Sequence, residues 1–440
     1  GAATSAPAPT EYNLWDTTSA FIGTGSSVKS AGDIIVLATD SLKADLVTGT
    51  VSGSVFAAVG VCLAIAVLNS DVLAYVDSGA ALQAVGAINI GAYGKHGDSL
   101  LFPNDDDEQM FPSGKTEQDR KDDQDAEKDG FLSEVTDLAS KVPGLSDYTI
   151  RCIVLSAGGA LVSVNVVLSA VSVFTQTKAF MAGDVTSASA LNVVAKSDYG
   201  RVIALTLGIG GGAVSVKVSF SLVVYQSRME ASICSLADIR NVGSIYVRSE
   251  SDTTANALAA CLSGGGISVN AASAIALNLT RVDTFIGQGV SIGGSAGGTS
   301  GTIEVSADID TAAEALILSF SVGGGAFGVT FALAVLNPLV QSYIGVTPKG
   351  DIIDHSSVTS GTPSGSIAVS GAITVINDVQ GTANAIGISF AASGMQSLNG
   401  TVGVAVNSIS GYAAINKTNV SGSSITVTAL MDGDATVRAY

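Results

Sequence analysis

Apolar and polar residues alternate with a period of two through most of this chain. The clearest stretch, Gly211-Gly212-Ala213-Val214-Ser215-Val216-Lys217-Val218-Ser219-Phe220, sets Val216, Val218 and Phe220 on one face and Ser215, Lys217 and Ser219 on the other. Period two predicts β-strands. An apolar run and a glycine-rich corner precede this strand, and equivalent corners stand at Gly158-Gly159, Gly264-Gly265-Gly266 and Gly323-Gly324-Gly325. Glycine suits a corner because it accepts positive φ and leaves room for a neighbouring backbone. Proline is nearly absent from these strands, as a paired ladder requires. Several strands end in Asn, at Asn69, Asn278, Asn337 and Asn407. Stacked, these would form a ladder of amide hydrogen bonds.

The pattern recurs at long range. A small residue, then an apolar–polar–apolar triplet, marks Ile34, Ile88, Leu191, Ile245, Ile303, Ile367 and Ile425, at spacings of 54, 103, 54, 58, 64 and 58. A second apolar strand ends at Ile22, Val76, Met181, Ile233, Ile286, Ile344 and Ile415, spaced by 54, 105, 52, 53, 58 and 71. Two independent series with one period establish about seven degenerate repeats of roughly 50–60 residues. Units this short cannot bury an apolar face alone, so the expected fold is all-β: a β-solenoid (β-helix) with one unit per coil. If the glycine corners are hairpin turns, stacked antiparallel hairpins are the alternative.

Composition agrees: charged residues are only 13% and glycines number 51, too little charge for an ordinary soluble domain. The net charge of −18, with no Lys/Arg cluster, excludes nucleic acid as a partner and disfavours an anionic membrane surface. The charge-free stretch 46–70 is long enough for a membrane helix, but its scattered Gly, Ser and Thr and its kinship with other repeats argue against a span. An aromatic content of 5% is low for the girdles of an outer-membrane barrel. Cys62, Cys152, Cys234 and Cys261 show no metal-binding spacing and read as small core residues. No signal peptide is visible, and the opening Gly-Ala-Ala-Thr-Ser-Ala-Pro-Ala-Pro reads as a processed end.

One string, Asp310-Thr311-Ala312-Ala313-Glu314-Ala315 through Gly323-Gly324-Gly325 to Ala334-Val335-Leu336-Asn337 and then Ser342-Tyr343-Ile344, is echoed by Thr253-Thr254-Ala255-Asn256-Ala257 through Gly264-Gly265-Gly266 to Ala276-Leu277-Asn278. These residues resemble the repeats of leukotoxin-type filamentous adhesins, very large bacterial surface proteins. The likeness covers most of the chain outside residues 97–147, and implies a secreted, elongated β-solenoid fibre segment with no catalytic residue.

From Gly97 to Asp147 the repeat stops, three of the eight prolines occur, and fifteen acidic residues face five basic ones, so more than half the net charge lies there. The insertion reads first as a solvated loop that keeps a low-charge fibre soluble. Within it, Asp123, Asp125, Glu127 and Asp129 precede Gly130, alternate carboxylates of the kind a calcium ion takes, so Ca2+ is the one candidate ligand. Thr136 replaces the closing Glu of an EF-hand loop. Phe131, Leu132, Val135 and Leu138 have helical spacing and are the candidate contact with a neighbouring subunit.

Catalysis finds little support. The histidines, His96 and His355, are isolated, and Gly208-Ile209-Gly210-Gly211-Gly212 lacks the Lys-Ser/Thr of a phosphate loop. The repeats are expected to expose mainly Ser, Thr and Ala. The layout read from the sequence is an extension at 1–18, solenoid at 19–96, acidic insertion at 97–147, solenoid at 148–410 and a partial last unit at 411–440. The expected role is a non-enzymatic, secreted, cell-surface structural or adhesive protein, self-associating through solenoid ends and insertion, its partners being copies of itself or a host surface. The alternative is a polysaccharide-binding or polysaccharide-cleaving β-helix.

Overall fold

The structure, a computed structural model, describes residues 10–96, 148–293, 301–349 and 365–440. Among them are 22 strands and no helix. Every pairing between these strands is parallel, which makes the fold a β-solenoid and sets aside the antiparallel hairpins. The proposed calcium ligands Asp123, Asp125, Glu127 and Asp129, the proposed contact residues Phe131, Leu132, Val135 and Leu138, and His355 lie outside the described residues.

The first coil shows the circuit. An outgoing side, Thr10–Ile22, leads to a short cap strand, Ser27–Ser30, and the chain comes back along a return side, Ile34–Leu42 and Ala44–Gly53. A glycine corner then opens the next outgoing strand, Ala57–Val76. In later coils one strand runs round this corner without a break, as in Leu191–Ile233, Ile245–Asn278, Ile303–Leu336 and Ala372–Asn407. Outgoing and return sides of successive coils stack in the large sheet, and cap strands stack in a separate seven-stranded sheet. Coils therefore repeat at the inter-strand spacing of roughly 4.8 Å. The first strand begins within the segment expected as an extension and sets Trp15 opposite Asn69.

All seven residues of one sequence series, Ile22, Val76, Met181, Ile233, Ile286, Ile344 and Ile415, form a single in-register column. The other series holds from Ile34 through Ile88, Leu191 and Ile245 to Ile303, whose partner is Ile373. Ile367 belongs instead to the cap sheet, between Ile292 and Val420. The triplet at 367–369 mimics a return strand, so true steps of 70 and 52 read as 64 and 58.

One main apolar core fills each end of the coil, and a third, small cluster joins Ile153, Ile203 and Leu205. Toward the cap sheet the filling is bulky, with Val76, Leu82, Ile88, Met181, Ile233 and Ile286 at or near zero exposure. Toward the glycine corner it is small: Ala64, Ala204, Ala257, Ala274, Ala315 and Ala332, with Cys62, Cys152 and Cys261 among them. Larger groups, among them Leu68, Tyr199, Tyr225 and Leu336, belong to the same core. A Cβ added at Gly210 would stand 2.1 Å from Lys217 Cε, and one at Gly328 would stand 2.5 Å from Asn399 Oδ1. No helix is long and apolar enough to cross a membrane, and the charge-free stretch 46–70 runs through strands Ala44–Gly53 and Ala57–Val76.

Candidate functional site

Near the glycine corner the alternation is inverted relative to an ordinary sandwich. Ser215, Lys217 and Ser219 are buried between the sides, whereas Val216, Val218 and Phe220 point outward. The same holds in neighbouring coils: Ser163, Asn165, Ser268 and Asn270 are buried, and Val162, Val166 and Ile267 are exposed. The expectation that the repeats present mainly Ser, Thr and Ala is therefore reversed on this wing. The gap is filled mainly by small or hydrogen-bonding side chains, with Val167 an apolar exception, while most branched and aromatic side chains of this wing face out.

Hydrogen bonds, some across the gap and some between adjacent coils of one side, join many of the inward polar groups. Ser219 Oγ donates to Ala260 O at 2.9 Å, Ser268 Oγ and Ser321 Oγ lie 2.6 Å apart, and Lys217 Nζ donates to Ser163 Oγ at 2.8 Å. Burial lowers the Lys217 pKa to about 8. Directly above and below it in register stand Asn165 and Asn270.

The asparagines do not make an uninterrupted ladder. Asn278 pairs with Tyr225 and Leu336, Asn407 pairs with Leu336, and Asn69 and Asn337 point to the outer side. The inward ones act as ties between coils. Asn278 Nδ2 donates to Thr253 O and Ala312 O, both at 3.2 Å, and Asn407 Nδ2 to Gly381 O and Asp434 O, both at 2.9 Å. Asn377 spans Val340 O and Tyr412 O, and Asn270 spans Cys261 O and Phe320 O, in the same way. Each amide thus crosses the core and clamps carbonyls of two successive coils. Sequence spacing could not reveal this, because the acceptors are backbone atoms of the opposite side.

Charge collects on the other half of the molecule, around the outer face of the return side nearer the cap. Lys196 Nζ reaches Glu250 at 3.2 Å and the Arg248 guanidinium reaches Glu304 at 2.9 Å, each between adjacent coils. Beyond these pairs the columns turn acidic, with Glu250, Asp308 and Asp378 in register and Asp252 opposite Asp310. Desolvation, and then the Asp378, Glu250 and Asp310 carboxylates, raise the Asp308 pKa. Asp252 is raised by desolvation and by Asp310 and Asp198. These are solvated side-chain columns; among the described residues no group of three or more His, Cys, Asp or Glu is placed to hold a metal ion.

All four cysteines are buried, and none forms a disulfide. Burial pushes the Cys152 thiol up to about 12 and Cys261 to about 11, so neither is a nucleophile at neutral pH. His96 ends the strand Ile88–His96, and Gly208–Gly212 lies within the strand Leu191–Ile233, far from a helix N-terminus geometry. The stacked aromatic column at Phe21, Tyr75 and Phe180, with centroids 5.1 and 4.8 Å apart, was not read from the sequence; it follows from register alone. No family model, no curated protein and no solved structure matches this chain.

Proposed function

We propose that the chain is a non-enzymatic structural subunit, secreted and built into an extracellular filament or surface layer, in which the solenoid serves as a stiff building block. The observation that carries this reading is the unbroken stacking of seven coils in parallel register, tied from coil to coil by inward asparagine clamps. Such a stack resists bending because each coil's backbone groups bond to the next, and it spends its polar groups on itself. The adhesin-like repeats point the same way. Electron microscopy of the native material tests it: filaments or ordered layers are expected, and isolated globular particles would overturn the reading.

A glycan-binding solenoid draws support from one feature, the column of Phe21, Tyr75 and Phe180. Their rings stack face to face, with interplanar angles of 8° and 10°. Ring faces engaged with one another cannot also receive a sugar ring. Only ring edges and the two end faces of the column, at Phe21 and Phe180, remain for a glycan, so affinity electrophoresis in soluble β-glucan is expected to show no retardation. Retardation lost in Phe21→Ala would favour this second reading.

A further inference from the structure

The outgoing side of the glycine-corner wing carries a face that nothing in the described chain covers. Six consecutive coils contribute to it, over residues 57–67, 162–172, 214–224, 267–277, 325–335 and 396–406. The one charged residue in those segments, Lys217, points inward and is fully buried. What points outward is mainly Val, Leu, Ile and Phe, with Ala and the uncharged Ser172, Ser273 and Gln396 between them: Val59 is 58% exposed, Ile267 47%, Val329 60%, Phe331 37%, Leu398 64% and Val402 53%.

The size follows from strand geometry. Six coils at roughly 4.8 Å and eleven residues at roughly 3.3 Å give a patch of about 1,000 Å² on one face. Soluble monomers rarely leave contiguous apolar patches above a few hundred Å². A stable interface needs about 800 Å² from each partner, which this face supplies without help. The occupant must be flat, apolar and uncharged over the same extent. A parallel sheet of β-branched residues meets that description, since two such faces pack at roughly 10 Å with side chains interdigitated.

We propose that this face packs against the same face of a second copy of the chain, related by a two-fold axis, so that solenoids associate side by side. The inference rests on the structural-subunit reading and deepens it by naming the lateral contact. A lipid surface fits less well. The outward positions of these six segments hold no Tyr, Trp, Lys or Arg, the residues that anchor a protein at a bilayer interface. The charged outer columns at Lys196, Glu250 and Asp308 lie on the return side and remain in water when the outgoing faces meet.

The test uses the full chain, a double variant V329K/V402K on the face, and K196E on the charged side as a control. Light scattering reports mass, and electron microscopy reports whether filaments are single or paired. Far-UV circular dichroism and thermal melting check that each variant is folded. The expected result is a higher-mass species in the wild type and in K196E that is lost in V329K/V402K, whose filaments become single. As a second measurement, V329C gives the chain its one thiol on this face, and spin labels there are expected to show dipolar coupling between copies. Paired filaments that persist unchanged in V329K/V402K, with no coupling at V329C, overturn the lateral contact while leaving the filament reading intact. Monomers without filaments in every variant would instead remove both. Co-flotation of a monomeric wild type with phosphatidylcholine vesicles, abolished by V329K/V402K, would assign the face to lipid and overturn the proposal.

Discussion

Adjacent glycines at one corner should respond very differently to a single added methyl group. Gly265 has φ +155°, and a Cβ there would stand 1.7 Å from Gly212 O. Gly212, in turn, would place a Cβ 1.9 Å from Ala160 O, and Gly323 would place one 2.3 Å from Gly265 O. These residues stack in register, so each missing side chain makes room for a carbonyl of the coil below. Gly264 is different: its Cβ would meet Val322 O at an ordinary 3.9 Å. In Gly265→Ala the two coils must part by about 1.5 Å, beyond what hydrogen bonds of roughly 2.9 Å tolerate. Losing about two ladder bonds at ~1 kcal/mol each, plus ~1–3 kcal/mol of backbone strain, predicts a destabilisation of about 3–5 kcal/mol. Gly264→Ala should cost less than about 0.5 kcal/mol. Urea unfolding gives both values, and hydrogen exchange should localise the loss to amides flanking the corner in the fourth and fifth coils. Equal effects from the two substitutions, or a harmless Gly265→Ala, would refute the close-approach account of the corner.

Three further outcomes are expected. Asn278→Ala strips the donor from two buried carbonyls and should lower stability by about 2–4 kcal/mol, whereas Asn337→Ala on the outer side should stay within ~0.5 kcal/mol; comparable thermal shifts would contradict the tie model. The raised Asp308 pKa means the folded chain binds protons more readily than the unfolded one, so this carboxylate's contribution is most favourable below the ordinary carboxylate range and is lost as pH rises through the raised value. Asp308→Asn should therefore stabilise the protein at pH 7 and flatten its stability profile over that window, and a steeper profile would argue against the acidic column. The Lys217 pKa of about 8 works in the opposite sense: the folded state holds its proton less tightly, so stability should climb as pH rises from there toward the ordinary lysine range. Lys217→Met should abolish that climb and be neutral or stabilising by ~1–4 kcal/mol at pH 7, as for other buried charges replaced by apolar groups of similar volume; strong destabilisation measured by urea titration would show that the ammonium, through Ser163, holds adjacent coils together.

Much of this architecture was legible in the sequence because backbone pairing repeats. Period two, the glycine corners and the column from Ile22 to Ile415 determined strands, coil number and register, since equivalent residues must stack at one strand spacing. The parallel sense was not determined, because a glycine corner reads the same in a hairpin and in a solenoid turn. Nor was the position of Ile367, whose cap strand carries the same short pattern as a return strand. The acceptors of Asn278 and Asn407 could not be foreseen, being carbonyls brought across the core. The largest reversal concerns the wing itself. Alternation separates Val216, Val218 and Phe220 from Ser215, Lys217 and Ser219 but carries no sign for inside and outside. Only the tertiary structure decides that, through the gap between the two sides: at the glycine corner it is filled mainly by small or hydrogen-bonding groups, and most of the branched and aromatic ones face out.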